Sequence, residues 1–307
     1  MNAPRRPPRR PVDGVLLLDK PLGLTSNAAL QTARRLFNAA KAGHTGTLDP
    51  LATGLLPVCF GEATKFAGEL LEADKAYTAT IQLGATTDTA DAEGRVLVIR
   101  PVKVTLQQVE AVLRRFSGDI MQVPPMHSAL KRDGKPLYEY ARQGITLDRA
   151  ARRVCIHAID LRGLDGDKLC LSVDCSKGTY IRTLAEDIGA ALGCGAHLAV
   201  LRRTRIGRLG VDQAVALAEL EAMVPDRRDA LLTPIDALLE GLPRAELGEA
   251  DAVRLRQGQA IRWNGLAGRW RAYAGGAFLG LCELGADGWL SPCRLIATTK
   301  ENSNANA

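Results

Sequence analysis

Twelve residues constrain this chain more than any other stretch: Gly43-His44-Thr45-Gly46-Thr47-Leu48-Asp49-Pro50-Leu51-Ala52-Thr53-Gly54. Three glycines, one proline, three threonines, a histidine and a single carboxylate follow neither a helical stripe nor a strand alternation. The stretch therefore reads as a loop held in one shape. Its glycines permit positive φ and close approach of another molecule to the backbone. Pro50 biases Asp49 towards extended backbone and so sets the direction of the carboxylate. The apolar run Leu55-Leu56-Pro57-Val58-Cys59-Phe60 follows at once and seats the loop on a buried element. Taken alone, an Asp-Pro in such a loop is most often a turn residue capping a backbone N–H.

Other stretches change that reading. Gly14-Val15-Leu16-Leu17-Leu18-Asp19-Lys20-Pro21, Asp74-Lys75-x-Tyr77, Thr87-Asp88-Thr89-x-Asp91 and Lys177-Gly178-Thr179-Tyr180-Ile181-Arg182 occur in this order around the loop. Together with the loop they resemble the TruB family of tRNA pseudouridine-55 synthases, whose loop pattern is Gly-His-Thr-Gly-x-Leu-Asp-Pro-x-Ala-x-Gly. The resemblance covers most of residues 12 to about 210, far more than a lone motif. It implies an α+β fold: a pseudouridine synthase domain on a mixed, largely antiparallel sheet with flanking helices, plus a small C-terminal PUA-like β domain. It implies Asp49, Tyr77 and Arg182 as the catalytic set, with Asp49 as nucleophile or charge stabiliser. Tyr77 would stack on the target base and could accept a proton, and Arg182 would pair with Asp49. His44, Tyr77, Tyr180, Leu201 and Lys20 would bind substrate.

Composition narrows the class without naming it. Hydrophobic content of 46% and charged content of 24% are those of a soluble globular protein. No uncharged apolar run approaches the roughly 18 residues of a membrane helix. Of the net charge of +6, four units come from Arg5, Arg6, Arg9 and Arg10, so residues 1–11 read as a disordered basic tail. Seven cysteines without a Cys-x-x-Cys pair argue against a disulfide framework and a zinc site. These features place the protein in the cytoplasm, with no metal and no cofactor.

Patterning fills in the elements. Thr25 or Ser26 caps a helix carrying Ala29, Ala33, Leu36, Phe37 and Ala40. Ala63, Phe66, Ala67, Leu70 and Leu71 predict a second helix. Tyr77, Ala79, Ile81 and Leu83 alternate with Thr78, Thr80 and Gln82, a strand whose apolar face starts at Tyr77. Asp88, Asp91 and Glu93 form an acidic loop without metal-ligand geometry. Residues 123–152, rich in Pro, Lys and Arg, correspond to an insertion that closes over RNA in the family, with His127 where relatives commonly carry tyrosine. Two further strands flank Asp165-Gly166-Asp167, and Ile181, Leu184, Ile188 and Leu192 predict a helix stopped by Gly193. Arg202, Arg203, Arg205 and Arg208 suit phosphate contact, and 211–240 reads as helical. Arg182 falls in a first helical turn, where the dipole disfavours a cation. That predicts a carboxylate partner, which the resemblance names as Asp49, and an Asp49 pKa held below its ordinary value.

The domain expectation is therefore a basic tail at 1–11, a catalytic domain at 12–241, an RNA-binding β domain at 242–298 and a tail at 299–307. The function implied is isomerisation of uridine-55 in the T-loop of tRNA after base flipping. Its partner would be the tRNA T-arm, with no membrane and no obligate protein. A non-catalytic tRNA-binding or tRNA-folding protein on the same scaffold is the alternative, and it would need no Asp49, Tyr77 and Arg182 together.

Overall fold

The computed structural model describes residues 8–297; Arg5, Arg6 and the expected tail at 299–307 lie outside the described residues. Strand β1 (Gly14–Lys20) leads to helix α1 (Ser26–Leu36), which starts at Thr25, whose hydroxyl accepts the Ala28 N–H at 3.1 Å. Strands β2 (Ala42–His44) and β3 (Ala52–Phe60) flank the Gly/Asp/Pro loop. A 3-10 turn at Gly61–Lys65, α2 (Ala67–Glu72) and β4 (Lys75–Leu83) follow. Next come a hairpin of β5 (Ala85–Thr87) and β6 (Val96–Ile99), then α3 (Leu106–Arg115) and β7 (Gly118–Gln122). The basic segment after it holds β8 (Lys131–Arg132), β9 (Lys135–Pro136) and α4 (Leu137–Arg142). Then β10 (Arg152–Asp165), β11 (Lys168–Cys175), α5 (Ile181–Ala191) and β12 (Ala196–Ile206) close the main sheet.

That sheet runs β7-β10-β11-β4-β12-β3-β1, with β3 and β12 parallel and the other neighbours in this row antiparallel. It is the expected mixed, largely antiparallel sheet. Its central strands are covered on both faces, which explains the unbroken apolar run on β3. Leu16 and Leu18 enter the main core with Leu56, Val58, Phe60, Ile81, Ala185 and Ile188, under α1 and α5. Val15, Leu17, Leu55 and Cys59 point to the opposite face, against Phe66, Leu70, Ile206 and Leu238. Each such side chain, fully buried, contributes about 1.5–3 kcal/mol against chain entropy.

Three patterns resolve differently from the sequence expectation. The helix expected over Ala63–Leu71 is split, because Phe66 leaves helical geometry (φ −108°, ψ 0°) between the 3-10 turn and α2. The stretch 211–240 is a chain of short pieces: β13 (Leu209–Gly210) precedes it, then β14 (Val215–Ala216), α6 (Leu217–Ala222), α7 (Pro225–Arg228) and β15 (Leu232–Thr233). β14 and β15 pair with β1, so sheet edges and prolines override helical periodicity. At the N-terminus Arg10, expected in a solvated tail, forks both oxygens of Asp229 at 2.6 and 2.5 Å and donates to Phe37 O.

The C-terminal residues build a separate five-stranded sheet, β16-β18-β19-β20-β17, from β16 (Arg244–Leu247), β17 (Ile261–Arg262), β18 (Gly268–Ala274), β19 (Ala277–Leu284) and β20 (Trp289–Leu295), beside α8 (Glu249–Arg256). Trp263 and Trp270 meet edge to face at 6.3 Å and pack on its core, while Trp289 stays outside under the Arg262 guanidinium. No helix among the described residues is long and apolar enough to cross a membrane.

Candidate active site

The loop between β2 and β3 is pinned at several points. Buried Ser26 at the start of α1 accepts the Leu48 N–H at 2.7 Å and donates to Leu48 O at 3.0 Å. Ala52 N–H donates back to Asp49 O, and Gly23 N–H donates to Pro50 O. Gly46 sits at φ +83°, which a side chain would strain. Gly54 has φ +100° and lies under the Arg203 backbone, leaving no room for a Cβ. Asp49 is thus presented by a loop whose main chain is fixed on both sides, with 40% of its side-chain surface open.

Arg182 closes over it from α5. The helix enters at Tyr180, whose N–H donates to buried Gln122 at 3.0 Å, so the side chain of Arg182 emerges in the first turn, as its spacing predicts. The guanidinium lies 3.1 Å from Asp49 Oδ2 and 3.6 Å from Asp91 Oδ2, and donates to His127 O at 2.6 Å and Thr89 O at 3.4 Å. Only 6% of the residue is exposed. A cation so enclosed is tolerated because two carboxylates and two carbonyls replace its water. Asp91 is itself held by Thr89 Oγ1 at 2.5 Å and the Glu93 N–H at 3.1 Å.

The expectation that pairing would hold Asp49 below its ordinary pKa is overturned. Burial raises it, the Arg182 guanidinium pulls it only part of the way back, and the Asp91 carboxylate adds to the rise. Desolvation outweighs one ion pair because Arg182 is shared with a second anion. Lys20 is the other correction. It was expected to bind substrate, yet it has no exposed surface and donates to Pro21 O at 2.9 Å and Leu24 O at 2.7 Å. Burial takes its pKa down to about 8 against the opposing pull of Asp49 and Glu93, so it acts on the site from behind, through charge.

The remaining expected residues converge on the same place. Tyr77, 8% exposed, lies on β4 in register with Arg203, and burial raises its pKa against the opposing Arg203 charge. Leu201 on β12 is buried and in register with Ala52 on β3 and Ala79 on β4. Tyr180 is half-buried and stands at the N-terminal end of α5. His44 ends β2 with a buried Nδ1 that has no hydrogen-bond partner among the described residues, and burial together with Arg203 lowers its pKa and keeps the ring neutral.

Sequence reading missed Asp91, Gln122, the His127 carbonyl and Arg203. Asp91 stood inside the acidic motif and lacked only a reason to single it out. Arg203 was grouped with the phosphate-binding cluster, and here the structure disagrees. Arg202 forks Asp19 at 3.0 and 2.7 Å, Arg205 pairs with Asp174, and Arg203 is 1% exposed. A β-bulge between Arg203 and Arg205 turns the two side chains apart. Only Arg208 of the four stays exposed, so the cluster is chiefly structural.

Comparison with known proteins identifies the family. Residues 34–181 match the family model for the TruB family pseudouridylate synthase N-terminal domain. Residues 182–240 match the tRNA pseudouridylate synthase B C-terminal domain, and 243–296 match the pseudouridine synthase II TruB C-terminal family. The tRNA pseudouridine synthase B of Aromatoleum aromaticum is 61% identical over 94% of both chains. That of Azoarcus sp. is 59% identical over 96% of this chain and 98% of its own. Among solved structures, a Cbf5-Nop10-Gar1 complex aligns with TM-score 0.69 at 26% identity, covering 91% of this chain and 80% of the other.

Proposed function

The chain belongs to the TruB family of pseudouridylate synthases and is a pseudouridine-forming isomerase acting on tRNA, and from that premise we propose that its target is uridine-55 of the T-loop. The observation that carries the catalytic reading is the Asp49–Arg182–Asp91 arrangement. One carboxylate is open to a ligand, while the cation beside it is sealed from solvent. A binding protein has no need of a buried ion triad facing a partly open carboxylate.

The reaction breaks the C1′–N1 bond and joins C5 to C1′, after which the hydrogen on C5 leaves and N1 gains one. The uridine must be flipped from its stack to reach Asp49. Asp49 then attacks C1′ or balances the positive charge that develops there. Arg182 orients the carboxylate. Tyr77 and Leu201 supply apolar surface for the base, and Tyr180 and the unpartnered His44 complete the pocket. No step calls on a metal or cofactor. The basic segment 123–152, with Lys135 over the Tyr140 ring and Arg142 over Tyr138, and the C-terminal pair Arg262–Trp289 form the candidate RNA surfaces.

Incubation with an unmodified tRNA transcript, followed by mapping of pseudouridine, tests the reading. Conversion at position 55 alone is expected, and Asp49→Asn should lower the single-turnover rate by roughly 10⁴-fold or more while leaving tRNA Kd within about threefold. Modification at another site would overturn the choice of uridine. Substantial turnover by the Asn variant would overturn the role of Asp49.

A further inference from the structure

Gln122, the last residue of β7, is 2% exposed, and both polar atoms of its amide are bonded to the main chain of a single residue. Its Oε1 accepts the Tyr180 N–H at 3.0 Å, and its Nε2 donates to Tyr180 O at 3.3 Å. A backbone N–H can only donate and a carbonyl can only accept, so the orientation of the amide is forced. Tyr180 is the residue at which α5 begins, and its side chain makes no capping bond. Its carbonyl takes the opening bond of the helix, from the Leu184 N–H at 3.0 Å. Gln122 therefore anchors the start of a helix that lacks a capping side chain of its own. Arg182 follows in the first turn of that helix.

We propose that Gln122 is a positioning residue for Arg182, holding the root of α5 where the guanidinium meets Asp49 and Asp91. The topology supports this role. The basic segment 123–152 leaves the sheet at Gln122 and rejoins it at Arg152, and these two residues face each other in the β7–β10 register. Arg149 Nη1 closes the same neck by donating to Pro124 O at 3.0 Å. Further along the segment, His127 O accepts from Arg182 Nη2 at 2.6 Å. One stretch of chain thus grips the arginine twice, at the root of its helix through Gln122 and at its tip through the His127 carbonyl. Misplacing a catalytic group by about 1 Å costs up to about 10²-fold in rate, so the root matters as much as the tip. The inference rests on the catalytic reading of the Asp49–Arg182 pair given above.

Filling space and holding the helix start can be separated. Methionine has nearly the length and shape of glutamine but no N–H donor and only a weak acceptor. Gln122→Met therefore keeps the volume and breaks both bonds to Tyr180. Gln122→Asn keeps the amide but is one methylene too short to reach the same partners. The two variants lose the bonds for different reasons and should have the same effect on Arg182.

The test uses the full-length protein and an unmodified tRNA transcript. In single-turnover assays at saturating enzyme, Gln122→Met should slow pseudouridine formation roughly tenfold or more with Arg182 present. In an Arg182→Lys background the same change should cost less than about twofold, with tRNA Kd within about threefold of wild type throughout. A residue that only stabilised the fold would cost the same in both backgrounds. The guanidinium N–H signals of Arg182 in nitrogen-15 NMR, identified by their loss in Arg182→Lys, report its position without reference to activity. They should shift in both Gln122→Met and Gln122→Asn, and the asparagine variant serves equally if the methionine variant does not fold. Equal rate losses in the two backgrounds, or unmoved Arg182 signals in a folded Gln122 variant, would overturn the proposal. If Arg182→Lys turned over like wild type while the signals moved as stated, the catalytic reading of the pair would fall and the positioning role would stand.

Discussion

At Arg182 two carboxylates compete for one guanidinium, and the competition sets the chemistry of Asp49. The arginine stands 3.1 Å from Asp49 and 3.6 Å from Asp91. With it removed, the two acids face each other with no cation between them, and the Asp49 pKa, already raised by burial, should rise further. Arg182→Met should then lower turnover by roughly 10²–10³-fold. The loss should deepen as pH falls, because the acid limb of the rate profile moves upward; parallel profiles for wild type and variant would contradict this. Lys20 yields a second prediction of opposite sign. Its folded pKa of about 8 lies below the ordinary 10.5, so between those values the unfolded chain holds the extra proton and stability rises with pH. Urea unfolding of wild type and Lys20→Met at about pH 7.5 and about pH 9.5 should show the difference moving towards wild type by about 2 kcal/mol. No change between the two pH values would mean that Lys20 is solvated.

Among the elements, β12 does the most to assemble the site. It is parallel to β3 and antiparallel to β4, so Leu201, Arg203, Gly54 and Tyr77 meet across three neighbouring strands. Its bulges send Arg203 inward while Arg202 and Arg205 pair with Asp19 and Asp174. The strand's fit to β3 depends on one glycine. A Cβ on Gly54 would lie 2.2 Å from Arg203 O, at a φ of +100° that side chains resist. Gly54→Ala should therefore cost roughly 3 kcal/mol or more and lower the single-turnover rate at saturating tRNA, since both Asp49 and Arg203 shift. Chemical denaturation and a single-turnover assay would measure both effects, and a variant of normal stability and rate would show that the strands can part without consequence.

Across the whole molecule, the C-terminal sheet is fastened to the rest of the chain. Arg269 forks Glu69 of α2 at 2.6 and 2.7 Å, Phe278 meets Phe66 at 5.6 Å, and Tyr273 donates to Asp236 at 2.6 Å. Leu281 joins the same core cluster as Val15, Leu17 and Leu55. Removing residues from about 242 onward should therefore lower the Tm of the remainder by roughly 10 °C or more, on top of any loss of tRNA affinity. A truncated protein with unchanged Tm would show that the seam contributes nothing to the main fold. The basic segment 123–152 reaches the site by backbone, since His127 O accepts from Arg182.

The sequence by itself determined most of the local elements, and the family resemblance it carries named the central pair. Glycine, proline and a lone carboxylate before an apolar run specify a fixed loop whatever surrounds it. Period-2 alternation placed Tyr77 facing inward, and helix spacing put Arg182 in a first turn that demanded an acid. These are properties of neighbouring residues, and neighbours lie within a few positions of each other. What residues distant in the chain do to one another was decided by tertiary structure. Four arginines within seven positions read as a phosphate surface until strand pairing and a bulge buried one and matched two with carboxylates. Lys20 was expected at the substrate until the β1–β3 pairing and the chain from Pro21 to Leu24 enclosed it. The pKa of Asp49 went up rather than down because burial and the second carboxylate at Asp91, 42 residues away in sequence, outweigh the one partner that the resemblance named.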